Sequence, residues 1–153
     1  MSSYTQILYH TVFATKGRRR VLDKPRRDDL FRYLWGVVKN HDSHLYRIGG
    51  VEDHVHILSS LHPTVALADF IKDLKVASSK WIKDERVFPV FEAWQEGYAA
   101  LTCSLSEKDR LIEYINGQEA HHRTVSFLDE YREMLGAAGE PIPCQARLPA
   151  RPV

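Results

Sequence analysis

Cysteine is nearly absent from this 153-residue chain: Cys103 and Cys144 are the only two, and they form no CxxC pair. That excludes a disulfide-stapled fold and cysteine metal knuckles. Long hydrophobic runs are missing too, since no stretch approaches the roughly 18 apolar residues of a membrane span. The opening MSSYTQILYHTVF lacks the basic region and long apolar core of a secretion signal, so a reduced, cytoplasmic protein is expected. No internal repeat is present. What remains, 44% hydrophobic and 27% charged, is an ordinary globular composition. The length suits one domain that buries a core without metals or disulfides.

Net charge is also small, +1, but it is unevenly spread. Residues 16–32, KGRRRVLDKPRRDDLFR, hold eight Lys/Arg against three Asp, a local +5, which leaves −4 for the rest. A basic segment on a nearly neutral protein is either a solvated loop or a local contact for a polyanion.

Periodicity gives the order of elements. Tyr4 to Thr15 is rich in β-branched and aromatic residues and reads as a first strand, ended by Gly17–Arg20 and Pro25. Pro25 opens a helix whose apolar positions Leu30, Phe31, Leu34, Val37 and Val38 follow helical spacing. His44 to Ile48 is a short strand, Gly49–Gly50 a hairpin-type break, and His54 to Leu61 the partner strand. Pro63–Thr64 opens a second helix with Leu67, Phe70, Ile71, Leu74, Ala77 and Trp81 on one side. Gly97 to Ser104 reads as a fourth strand, Ser106 as the cap of a helix running to about His122, and 126–135 as a last helix. The order β-α-β-β-α-β followed by helices is the split βαβ of an α+β, ferredoxin-like (RRM-like) fold. Its antiparallel four-stranded sheet leaves one face available to ligand or nucleic acid. Residues 1–135 form the domain, and the Pro/Ala-rich 136–153 read as a flexible tail.

Two short stretches carry chemistry. In DHVHILSSL, Asp53 to Leu61, strand alternation sends His54 and His56 to one face and Val55 to the other. The two imidazoles are then either hydrogen-bonded histidines or a pair converging on one ion. Leu58 stands where a third alternate histidine would be, which excludes the simplest histidine-triad hydrolase. Alternation also turns Asp53 away from both rings and assigns it to the turn. In LIEYINGQEAHH, Leu111 to His122, the helical spacing puts Tyr114, Gln118 and His121 along one edge of an apolar stripe of Leu111, Ile112 and Ile115. Tyr114 there either packs in the core or reaches a strand-bound ion.

DHVHILSSL taken with YINGQ resembles the HUH single-strand DNA transposases that use one catalytic tyrosine, the insertion-sequence and repeat-associated tyrosine transposases. The likeness runs from about Tyr4 to Leu135 and includes YHTVFATKGRRRVL, LKVASSKWI, WQEGYAALTCS and, near the end, YINGQEAHHRTVSFLDEY. The resemblance implies that His54, His56 and Gln118 are metal ligands and Tyr114 is the nucleophile, carried by a helix after the sheet. It implies Mg²⁺ or Mn²⁺, single-stranded DNA in the form of hairpin ends, a homodimer, and a nucleoid-associated place in a bacterial or archaeal cytoplasm. Lys16, Arg18, Arg19 and Arg20 then contact the DNA backbone. Trp94 and Tyr98 are either core residues or base-stacking candidates, and His121 is either part of a polar helix end or an auxiliary proton carrier.

A free phenol, with its pKa near about 10, needs help to act as a nucleophile at neutral pH. A covalent tyrosine ester conserves the phosphodiester bond between cutting and rejoining. Two imidazoles and an amide bring no carboxylate, unlike usual Mg²⁺ sites. Three other readings share these residues: an HUH nicking enzyme of replication or transfer, a non-enzymatic DNA-binding regulator, and a metal-dependent hydrolase that uses water.

Overall fold

The computed structural model describes residues 2–137. The expected tail lies outside the described residues except for Gly136 and Ala137, which continue a helix. Four strands, β1 (Leu8–Ala14), β2 (Leu45–Gly50), β3 (His54–Ser60) and β4 (Ala99–Cys103), form one sheet in the order β2-β3-β1-β4. Every neighbouring pair is antiparallel. Helices α1 (Lys24–Asn40) and α2 (Leu67–Asp84) are the two crossovers. This is the expected ferredoxin-like α+β arrangement. Among the described residues no helix is long and apolar enough to cross a membrane.

Side-chain alternation explains the core. Phe13 of β1 and Val55 and Ile57 of β3 turn to the helical side, where they meet Leu30, Leu34 and Val38 of α1 and Phe70, Ile71, Leu74 and Ile82 of α2. Each of these is at least 98% shielded from solvent. Burial at that level contributes about 1.5–3 kcal/mol per large side chain. Trp81 is only half-buried at the edge of this cluster, stacked on Tyr33 with ring centres 4.7 Å apart.

Four expectations are corrected. Strand β1 begins at Leu8 rather than Tyr4, because residues 4–7 gain no sheet partner and stay exposed. Gly49 and Gly50 lie inside β2 instead of forming the break, and the chain turns at 51–53. Their small size serves packing: a Cβ on Gly49 would come within 2.7 Å of the Ile115 carbonyl oxygen, and one on Gly50 within 2.4 Å of the His54 carbonyl oxygen. The helix expected from Ser106 to His122 is divided into a 3-10 turn at Leu105–Glu107, α3 (Lys108–Asn116) and α4 (Gln118–His121). Gly117 breaks it, its N–H shared between the carbonyls of Glu113 at 3.0 Å and Tyr114 at 3.2 Å, which tightens the turn. Finally, the second sheet face is covered. α3 packs Leu111, Ile112 and Ile115 on Leu8 and Leu58, and α5 (Phe127–Ala137) packs Tyr131 and Met134 on Val12, Ala14 and Ala99.

Candidate active site

The covered face holds the chemistry. In β1 and β3 the residues next to the core positions point the other way, so His54, His56 and, from β1, His10 share that face through the register Val12–His56 and Ala14–His54. His54 and His56 are wholly buried and His10 nearly so. Opposite them stand Tyr114 from α3, Gln118 and His121 from α4, His122 just after it, and Glu130 from the first turn of α5. The sequence S-F-L-D at 126–129 places Glu130. The Ser126 hydroxyl donates to the Asp129 carboxylate at 2.9 Å and accepts the Asp129 backbone N–H at 3.2 Å, a capping pair that fixes where α5 starts.

Glu130 is the hub. Its Oε1 lies 3.0 Å from His56 Nε2 and 3.3 Å from His54 Nε2. Its Oε2 lies 3.1 Å from His122 Nε2 and 3.2 Å from His121 Nε2, and it accepts a hydrogen bond from the Tyr114 hydroxyl. Gln118 Oε1 sits 3.3 Å from His54 Nε2 and 2.9 Å from His122 Nε2. Every residue expected at the reaction centre is therefore brought together: His54, His56, Tyr114, Gln118 and, beside them, His121.

Each strand histidine is oriented from behind. His54 Nδ1 donates to Asp53 Oδ1 at 2.7 Å, and a hydrogen bond of 2.8 Å joins His56 Nδ1 and His10 Nε2. The expectation that Asp53 faces away is corrected, because β3 begins only at His54 and the bend at 52–53 frees Asp53 from strand alternation. Burial alone would lower His54, but its hydrogen bonds to Asp53 and Glu130 outweigh that and push its pKa up to about 9. His56 has Glu130 but no second carboxylate, so burial prevails, with the charge of His54 adding to it, and its pKa falls to about 4. His10, buried beside His56, falls to about 3. Although burial alone would raise Glu130, hydrogen bonds from His122, His54 and His56 hold it far below the usual carboxylate range. The Tyr114 phenol is raised, by burial first and then by Glu130, so it is a weak nucleophile in this environment.

The donor chemistry fits a divalent cation. Single ligand atoms from His54, His56, His122 and Glu130 all lie within 4.8 Å of one another. Donors around one ion at about 2.0–2.6 Å need a spread of this size. The carboxylate missing from the expected set of two imidazoles and an amide is present after all. His10, His122 and Glu130 were not among the expected site residues. The only sequence signals for them are a β1 histidine in YHT, the doubled His in EAHH, and the S-x-x-D cap before Glu130.

The basic segment divides. Arg18 and Arg20 line a groove of about 710 Å³ together with Lys24, Asp53, His122 and Arg123, directly beside the cluster. Lys16 and Arg19 instead face Glu92, at 2.7 and 3.7 Å. Arg27 is buried and structural, bonding the Leu22 carbonyl and Glu119 at 3.1 Å each. Of the two stacking candidates, Trp94 is core, its indole N–H bound to Ser78 Oγ at 2.9 Å, because Phe13 and Phe91 close over it. Tyr98 is 41% exposed.

Comparison with known proteins supplies a family. Residues 3–118 match the profile described as "Transposase IS200 like". ISDra2 transposase TnpA of Deinococcus radiodurans is 28% identical over 123 residues, which cover 74% of this chain and 84% of that protein. A crystal structure of a Deinococcus radiodurans R1 protein assigned as a transposase superposes with a TM-score of 0.60 at 27% identity, over 77% of this chain and 95% of that one. The structure of a REP-associated tyrosine transposase bound to a REP hairpin gives 0.56 at 12% identity over 100% and 98% of the two chains, a likeness of fold. The profile match stops at Gln118, before His121, His122 and Glu130.

Proposed function

The chain belongs to the IS200-like transposase family, and from that premise we propose that it cuts and rejoins single-stranded DNA by transesterification through Tyr114. The observation that carries this reading is one convergence: the Tyr114 hydroxyl and the Nε2 atoms of His54 and His56 all meet the two oxygens of Glu130.

In this reading Tyr114 Oη forms a bond to the scissile phosphorus while the bond to the 3′ oxygen breaks. The products are a 5′-phosphotyrosine and a free 3′-OH, and the 3′-OH can attack the same linkage in reverse. No external energy source is needed, since the ester on Tyr114 conserves the bond. His54, His56 and Gln118 hold a divalent cation, Mg²⁺ or Mn²⁺. The chemistry such an ion supplies when bound is electrophilic, offsetting charge on a phosphate oxygen and on the departing alkoxide. Asp53 and His10 keep the two imidazoles aimed inward, and His121, next to the phenol, carries its proton. Arg18 and Arg20 guide the strand along the groove that opens beside His122, with Lys16 and Arg19 as further contacts once they leave Glu92. The substrate proposed is the hairpin end of a mobile element, and the working unit is a homodimer in the cytoplasm. The solved structure carrying a REP hairpin supports the choice of DNA.

The test uses short labelled single-stranded oligonucleotides with Mn²⁺ or Mg²⁺, with and without a chelator, resolved on denaturing gels. A covalent protein–DNA band that needs the metal and vanishes in Tyr114→Phe is expected. Cleavage that persists in Tyr114→Phe would mean that water is the nucleophile.

A further inference from the structure

Two donors at the centre lie beyond the family-matched segment, which ends at Gln118. His122 Nδ1 has only the Val125 carbonyl oxygen beside it, at 2.7 Å, and a carbonyl can only accept, so Nδ1 carries the proton. The other ring nitrogen, Nε2, faces inward, 2.9 Å from Gln118 Oε1 and 3.1 Å from Glu130 Oε2. His54 repeats the pattern. Its Nδ1–H is given to Asp53, and its Nε2 faces Glu130 Oε1 and Gln118 Oε1, both at 3.3 Å. Histidines that donate one ring N–H to a carboxylate or carbonyl and turn the other nitrogen inward are arranged as metal ligands usually are.

The inward ligand atoms of His54, His56, His122 and Glu130 all lie within 4.8 Å of one another, around a carboxylate that is wholly shielded from water. One divalent cation placed among them is within reach of all four. We propose that His122 and Glu130 are themselves ligands of the divalent cation, completing a site with His54 and His56, so that α5 delivers the carboxylate. This rests on the metal-dependent reading above and names its ligands. The added carboxylate makes the set suitable for a hard ion such as Mn²⁺ or Mg²⁺, which two imidazoles and an amide alone do not favour. Because Tyr114 bonds the same carboxylate, α5 also ties the nucleophile to the metal position.

Binding of Mn²⁺ alone to the full chain, followed by loss of the free-ion electron paramagnetic resonance signal, tests this without any DNA. Glu130→Gln and His122→Ala are each expected to weaken Mn²⁺ at least about tenfold, as loss of close metal partners does. Gly36→Ala and Lys80→Ala, on the helices of the opposite sheet face, should stay within about twofold of wild type, well under that tenfold scale. Circular dichroism melts confirm that each variant is folded, and Glu130→Gln preserves the side-chain shape. Pulsed resonance on the bound ion should detect three imidazole nitrogens, falling to two in His122→Ala. If His54→Ala loses Mn²⁺ while Glu130→Gln and His122→Ala bind normally, this inference is overturned and the metal-dependent reading survives. If His54→Ala also binds normally, both fall.

Discussion

On one side of the sheet Phe13, Val55 and Ile57 press into α1 and α2. On the other, their immediate neighbours Val12, His54 and His56 face α3 and α5. The same two strands thus make an apolar core with one set of residues and a buried polar cluster with the alternate set. The contrast separates stability from chemistry. The core side gains free energy from each side chain it hides. The polar side holds a shielded carboxylate and three buried histidines, whose desolvation cost must be met by partners at every atom. The apolar clusters under α3 and α5 are small among the described residues, Leu8, Leu58 and Ile115 for one, Val12, Ala14 and Ala99 for the other. These helices should exchange backbone amides faster than α1 and α2.

The sharpest division comes from removing one oxygen. Tyr114 is half-buried, so Tyr114→Phe keeps its packing on the Leu8–Leu58 cluster. Cleavage of single-stranded DNA is expected to fall by at least about 10⁴-fold, the scale on which nucleophiles are lost, with no covalent adduct on denaturing gels. An unfolding midpoint near wild type would show that the polar side is chemistry rather than scaffold. The converse substitution is Phe13→Ala, one residue along β1 from Val12. It should cost about 3–5 kcal/mol in urea unfolding, and the protein that stays folded should bind Mn²⁺ normally.

Metal addition asks whether the polar side stores stability conditionally. At about one hundred times its dissociation constant, an ion that binds only the folded state adds about 2.7 kcal/mol, or about 5–10 °C in the melting temperature. Mn²⁺ should produce that rise in wild type, a chelator should reverse it, and His54→Ala should show none. A rise that survives in His54→Ala would place the ion elsewhere.

A glycine pair sharpens the comparison further. Gly49→Ala drives a methyl to 2.7 Å from the Ile115 carbonyl and 2.8 Å from its Cγ2, one residue from Tyr114. About 1–3 kcal/mol of overpacking is expected, together with cleavage about 100-fold slower as the phenol is displaced. Gly36→Ala on α1 meets nothing within 4 Å, so it should leave activity alone and stabilise by about 0.5–1 kcal/mol.

What the chain reveals without coordinates follows the same division. The β-α-β-β-α-β order is legible because apolar spacing reports a buried face directly, as in the α1 run from Leu30 to Val38. His54, His56 and Tyr114 are legible because short spacing in a strand or helix fixes direction. Long-range convergence leaves no such mark. His10 reaches His56 only through the β1–β3 register, and Glu130 reaches His54 and His56 only because Gly117 bends the chain and Ser126 restarts it. Asp53 escapes the alternation rule by one residue, since alternation holds only inside a strand and β3 begins at His54. Gly49–Gly50 looked like a turn because glycine's freedom and its small size leave the same letter. Here size is what matters.

The smallest effect concerns the rim, where charge is solvated and each contact contributes little. Arg20 is exposed on the groove beside His122, whereas Lys16 is held 2.7 Å from Glu92. Arg20→Ala should weaken single-stranded DNA binding by several-fold and flatten the salt dependence by about 0.7–1 in the log–log slope, the share of one phosphate contact. Lys16→Ala should change both less, because its ammonium must first leave Glu92. Fluorescence anisotropy with a labelled oligonucleotide across a salt series reads both. Equal slopes for the two variants would show that the strand follows the whole basic segment and not the groove that leads to His122. A steeper loss in Lys16→Ala would place the strand on the Glu92 side, away from the buried cluster.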